Sequence, residues 1–244
     1  MEGDGVPLRH PRRAVRKALR AAVSACVAAS VLILSEPGAD ASDVIYSCSV
    51  KDRRIALTFD DGPHPTRTDE ILDILAEYHV RATFFLVGEN AEWFPEIVAR
   101  EAREGHELGN HSYSHADLSR ADYGTICREI DAGERAIWEN FEYRPHLLRP
   151  PGGCYGDALV RAAAERDYSL VCWSVDTRDW AHTPVDVIVK NVTEHAGSGD
   201  ILLFHDYIAG DSPTPAALRI LIPRLLAEGY EFVTVSELME DGGD

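Results

Sequence analysis

Residues 55–63 read Ile55-Ala56-Leu57-Thr58-Phe59-Asp60-Asp61-Gly62-Pro63, a short apolar run that stops on two acids and a turn. A run of this length without strict polar alternation suits a strand covered on both faces. Asp-Gly-Pro is turn chemistry and ends it. The same unit recurs along the chain. Residues 82–87, 106–110, 147–149, 169–175, 201–204 and 231–235 also read as strands. Residues 69–78, 95–104, 122–141, 157–166, 184–195 and 215–228 lie between them and read as helices. In the first helix, apolar residues fall at 71, 72, 74, 75 and 78; the second opens on Pro95 and ends before Gly105. Strand and helix in alternation predict a parallel sheet covered by helices. About seven such units in roughly 200 residues fall short of a complete eight-fold barrel, which takes ~250. No internal repeat or linker breaks the stretch, so one domain is expected over residues 42–244.

The N-terminus has a different composition. Residues 9–20 carry six bases and no acid, and a fourteen-residue apolar run follows from Ala21 to Leu34. Ala39-Asp40-Ala41 comes next. This is the layout of a secretory signal peptide over residues 1–41. The apolar run is short for a bilayer span of about twenty residues, so membrane association is expected only if the segment stays uncleaved as an anchor. Arg12-Arg13 matches a twin-arginine signal only loosely.

The chain holds 24 Lys and Arg against 41 Asp and Glu, a formal net charge of −17. Cleavage after Ala41 removes six bases and four acids and leaves −19. A polyanion repels phosphate, so no nucleic-acid partner is expected. An apolar content of 45% is enough to bury a core and excludes a disordered chain. Four cysteines, Cys48, Cys127, Cys154 and Cys172, follow the leader with no CxxC spacing, which argues against a thiolate zinc site. In an exported protein they could pair in three ways, and nothing in the sequence selects one.

The chemistry-bearing residues collect just after the strands: Asp60-Asp61, His111 with His115, Arg149, Asp176 with Asp179, and His205-Asp206. In α/β folds the C-terminal ends of parallel strands share one face, and sites are built there. His111 and His115 are four apart, a spacing that on a helical turn aims both rings at one point. With one Asp they form a two-His, one-carboxylate ligand set open to water. The other Asp would then act as general base. Taken singly, each of these features is more often a solvated turn or core filler. Arg149, ahead of Pro150-Pro151-Gly152-Gly153, could pair with a buried Asp. Gly152 allows close approach of a backbone N–H to a ligand. His205 would serve as general acid, with Asp179 holding its proton. Trp180, Trp173 and Leu203 could line an apolar pocket.

These residues together resemble the five motifs of the polysaccharide deacetylases, the NodB-homology domain of carbohydrate esterase family 4. Thr58-Phe-Asp-Asp-Gly-Pro63 resembles the first, His111-Ser-Tyr-Ser-His115 the second and Arg149-Pro-Pro-Gly-Gly153 the third. Asp176-Thr-Arg-Asp-Trp180 is similar to the fourth and Leu203-Phe-His205 to the fifth. All five occur in family order, and the likeness extends over nearly all of residues 50–240. The resemblance implies a distorted (β/α) barrel, in line with about seven units. It also implies roles: Asp60 as general base, Asp61, His111 and His115 as ligands of a divalent metal, Arg149 orienting Asp60, and Asp179 tuning His205. Leu203 and Trp180 would shape the pocket for the acetyl methyl, and the N–H of Gly152 would help hold the oxyanion. Zn²⁺ is the expected cofactor, with Co²⁺, Ni²⁺ and Fe²⁺ as alternatives. Position 152 is often aromatic in the family and is Gly here, which removes a wall of the sugar site.

The expected protein is thus a secreted, monomeric, metal-dependent hydrolase that removes N-acetyl groups from N-acetylglucosamine units. The substrate would be peptidoglycan or, second, chitin and its oligosaccharides. The competing expectations are an O-acetyl esterase on acetylated xylan and a non-catalytic glycan-binding module.

Overall fold

A computed structural model describes residues 44–241, which form one compact unit. The leader expected over residues 1–41 lies outside them. Among the described residues no helix is long and apolar enough to cross a membrane.

Nine strands form one sheet: β1 (Val44–Ile45), β2 (Arg54–Asp60), β3 (Thr83–Leu86), β4 (Glu107–Asn110), β5 (Leu147–Leu148), β6 (Ser169–Val171), β7 (Val175–Asp176), β8 (Ile201–His205) and β9 (Glu231–Val233). Their order is β1-β6-β5-β4-β3-β2-β8-β7, and β9 pairs with β2. Every strand pair is parallel. Eight α-helices among the described residues surround it: α1 (Arg67–Tyr78), α2 (Gly88–Trp93), α3 (Pro95–Arg103), α4 (Tyr123–Phe141), α5 (Asp157–Ala164), α6 (Val185–His195), α7 (Thr214–Ala227) and α8 (Val235–Asp241).

The expected distorted barrel is borne out. Seven expected strands become nine for two reasons. The stretch 169–175 divides, because its first half pairs with β1 and β5 and its second half with β8. The two-residue β1 carries no period to read. Helices α2 and α8 were also not expected, α2 because six residues span less than two helical turns.

Strand alternation sorts the core into two layers. Ile55, Leu57 and Phe59 of β2, Phe84 and Leu86 of β3, and Leu202 and Phe204 of β8 pack outward into one cluster with α1, α3, α6 and α7. Phe59 stacks on Phe84 at 5.0 Å between ring centroids and lies 5.9 Å from Phe204. The intervening residues Ala56, Phe85, Leu147, Val171 and Ile201 face the inside of the curl, where Val235 and Leu238 of α8 join them. Both faces of β2 from Ile55 on, of β3 and of β8 are buried, which explains the absence of polar alternation there.

Register then positions the chemistry. Asp60 stands opposite His205 on one side and Phe85 on the other, and Asn110 stands opposite Leu148. The ends of β2, β4, β5, β7 and β8 therefore deliver Asp60, His111, Arg149, Asp176 and His205 to one end of the sheet.

Truncating Phe59 removes the centre of the aromatic cluster. Phe59→Ala should cost about 3–5 kcal/mol of stability, read as a lowered urea midpoint with unchanged m-value.

Candidate functional site

Arg149 is completely buried and is the largest such side chain among the described residues. Its Nη1 donates to Asp60 Oδ1 at 2.7 Å and to Thr58 Oγ1 at 2.7 Å. Its Nη2 donates to the Cys172 carbonyl at 2.8 Å and its Nε to the Val171 carbonyl at 3.3 Å. The guanidinium lies 4.0 Å from the Phe85 ring centroid. Five contacts on three strands leave it one orientation, and that orientation fixes Asp60.

The backbone of Arg149 fixes a second residue. Its carbonyl accepts from His111 Nδ1 at 2.7 Å. That bond assigns the Nδ1–H tautomer and leaves the Nε2 lone pair facing the cleft. His111 Nε2 lies 3.4 Å and His115 Nε2 3.1 Å from Asp61 Oδ1. The two histidines are not on a helix, as their spacing had suggested, but on a loop. Ser112 and His115 both adopt positive φ there. Side chains shape that loop: Asn110 Oδ1 accepts from the Ser112 N–H, and Glu129 accepts from the N–H groups of Tyr113 and Ser114.

Asp61, His111 and His115 place one donor atom each within 4.8 Å of one another. Asp61 Oδ1 is buried and, among the described residues, has no hydrogen-bond donor satisfying it. Burial opposes its ionisation, yet the contacts with His111 and His115 hold the carboxyl well below the usual carboxylate range. An orphaned carboxylate oxygen facing two imidazole nitrogens fits a divalent cation with an open coordination position.

Asp61 itself has φ 76°. The next residue must be Gly: a Cβ on Gly62 would sit 2.0 Å from Asp206 Oδ2. Asp206 accepts from Thr68 Oγ1 at 2.5 Å, and burial pushes its carboxyl up to about 7.

Asp179 and His205 form the opposite wall. His205 Nδ1 donates to Asp179 Oδ1 at 2.8 Å. Asp179 is fully buried and also accepts from the backbone N–H groups of Trp180 and His205 and from Thr214 Oγ1 at 2.6 Å. Burial works against a charged His205, but the hydrogen bond and charge of Asp179 outweigh it and raise the imidazole to about 9. The pairing with Asp179 thus favours the protonated ring.

All ten residues singled out in the sequence are brought together. Asp60, Asp61, His111, His115, Gly152, Trp180, Leu203 and His205 line a cleft of about 440 Å³, together with Trp173 and Asp176. Arg149 and Asp179 stand directly behind Asp60 and His205. Gly152 has φ 63°, and a Cβ there would meet nothing within 4 Å, so the missing side chain leaves the wall open. Among the described residues, Cys48, Cys127, Cys154 and Cys172 form no disulfide with one another.

The family model described as polysaccharide deacetylase matches residues 48–171. The chain belongs to that family. Within it, the chain is 43% identical over 198 residues to a peptidoglycan-N-acetylglucosamine deacetylase of Bacillus cereus, covering 80% of this chain and 92% of that one. It is 37% identical over 198 residues to a chitooligosaccharide deacetylase of a Bradyrhizobium species, at 76% and 90% coverage. The crystal structure of a peptidoglycan N-acetylglucosamine deacetylase bound to an N-hydroxybenzamide superposes with a TM-score of 0.79, at 38% identity. That match covers 81% of this chain and 93% of the other. The enzyme class implied by the five motifs, a polysaccharide N-deacetylase of the hydrolases, is borne out.

Three partners escaped the sequence reading. Thr58 supports Arg149, Thr214 supports Asp179, and Thr68 supports Asp206. Asp206 had a signal, its place beside His205 at a strand end. Thr214 had none, because it reaches Asp179 from the start of α7, 35 residues away in sequence.

Two outcomes follow from this geometry. Arg149→Met leaves Asp60 buried without its partner and should cost about 3–5 kcal/mol; Asp60→Asn in the same protein should restore part of it. In chelated protein, NMR titration should place His205 at about 9. Its contribution to stability is then complete below about 6.5 and lost as pH rises from there through about 9. Asp179→Asn should bring the titration down, because burial remains and the anion is gone.

Proposed function

We propose that this member of the polysaccharide deacetylase family is an exported, divalent-metal-dependent enzyme that removes acetyl groups from N-acetylglucosamine units of peptidoglycan. The observation that carries this reading is the orphaned Asp61 oxygen between two imidazole nitrogens, flanked by the Arg149-held Asp60 and the Asp179-held His205. Export rests on the layout of residues 1–41. The Bacillus cereus relative supports peptidoglycan as substrate, and the Bradyrhizobium relative supports chitooligosaccharide as the second choice.

A divalent cation held by Asp61, His111 and His115, Zn²⁺ by donor chemistry, would polarise the acetamide carbonyl and acidify a water. Asp60, fixed by Arg149, accepts the proton of the attacking water. The N–H of Gly152 donates to the oxygen that gains charge. Leu203 and Trp180 exclude water around the acetyl methyl. His205 gives its proton to the departing amine nitrogen, and Asp179 stabilises the ring before and after transfer. One water is consumed, the C–N bond breaks, and acetate and a free amino sugar leave.

Acetate release by the purified protein is the direct test, with a chitin oligomer, solubilised peptidoglycan and acetylxylan as substrates. Release should stop with chelator and return with Zn²⁺. Asp60→Asn should keep metal and lose about a hundredfold or more in kcat. His115→Ala should lose metal binding by calorimetry. Release from acetylxylan alone would identify an esterase instead.

A further inference from the structure

Most cationic side chains around the cleft are already committed. Arg149 is spent on Asp60, His111 and His115 face Asp61, and His205 is held by Asp179. The carboxyls of Asp60, Asp61 and Asp176 also line the cleft. In a chain of formal charge −17, such a wall repels an acidic glycan.

Arg178 is the exception. It lies between two cleft residues, Asp176 and Trp180, and is exposed. Among the described residues it makes no ion pair. Its guanidinium carbon lies 5.8 Å from the Trp180 ring centroid, and that ring is 49% exposed.

The loop is built to present it. Arg178 has φ 57°, a conformation that a non-glycine residue adopts only when its surroundings impose it. Two side chains impose it here. Asp176 Oδ1 accepts the Arg178 N–H at 2.8 Å, and Thr183 Oγ1 donates to the Arg178 carbonyl at 2.8 Å. The Asp176 carboxylate is thus taken by the backbone rather than by the guanidinium.

We propose that Arg178 and the exposed face of Trp180 form a subsite for a carboxylate-bearing sugar next to the reacting N-acetylglucosamine. The indole takes an apolar face of the sugar ring, and the guanidinium takes the carboxylate through paired N–H donors. The ligand class is a hexosamine with an ether-linked carboxylate, as on the lactyl group of peptidoglycan. The subsite separates that substrate from neutral chitin oligomers, and it rests on the N-deacetylase reading above.

The test compares peptide-free peptidoglycan strands, whose lactyl carboxylates are exposed, with chitin oligomers of similar length. KM and kcat for acetate release are measured for the parent, Arg178→Gln and Arg178→Lys, with Arg135→Gln at an exposed position of α4 as control. Binding of both glycans to chelated protein is measured in parallel, so the subsite is read even without turnover. Arg178→Gln should raise KM and the dissociation constant about fivefold on the acidic strands, with kcat little changed. The effect on the neutral oligomer should be under about twofold, Arg178→Lys should fall between, and salt should erode the parent's preference. Equal loss on both glycans, or no change on either, overturns the subsite. Parent protein that binds with Arg178 dependence but releases no acetate overturns the deacetylase reading alone.

Discussion

The buried ion pair between Arg149 and Asp60 is the contact on which the site and the inner layer of the sheet both depend. A guanidinium inside a curled sheet is unfavourable unless every donor finds an acceptor. Here β2 supplies a carboxylate and a hydroxyl, and the end of β6 supplies two carbonyls. Phe85 of β3 offers its ring face, and the Arg149 carbonyl reaches His111 at the end of β4. One residue, through its side chain and its carbonyl, therefore ties the strand that ends on Asp60 to the strand that leads into His111. A small shift of Arg149 would misplace both.

The two walls of the cleft use the same device with opposite charges. On one side a buried cation fixes an acid; on the other a buried acid fixes a cation. Asp179 accepts four hydrogen bonds, so its charge is fully satisfied without water, and His205 inherits a fixed ring orientation and a raised proton affinity. Between the walls lies Asp61, with an oxygen that no hydrogen bond among the described residues satisfies. A folded protein tolerates such an orphan where a ligand completes it.

Gly152 lines the cleft, and Arg178 is exposed between the cleft residues Asp176 and Trp180. Neither touches Asp60, Asp61 or His205 through an ion pair. Asp60 and His205 are each held by a buried partner, whereas Arg178 is exposed.

By itself the sequence determined the class of the fold and singled out residues that meet at one cleft. Apolar strands such as Ile55–Phe59, each ending in polar residues, could only be buried on both faces, and parallel order places their ends together. Five ordered motifs then named the residues. What the sequence could not decide was anything set by contact between distant segments. The split of residues 169–175 into two strands depends on their having different neighbours. The loop under His111 and His115 depends on Asn110 and Glu129, not on helical spacing. Thr58 and Thr214 are ordinary threonines until the register of β2 and the start of α7 bring their hydroxyls to Arg149 and Asp179. Local pattern reports which faces are buried; hydrogen bonds across 35 to 91 residues are fixed only when the chain has folded around them.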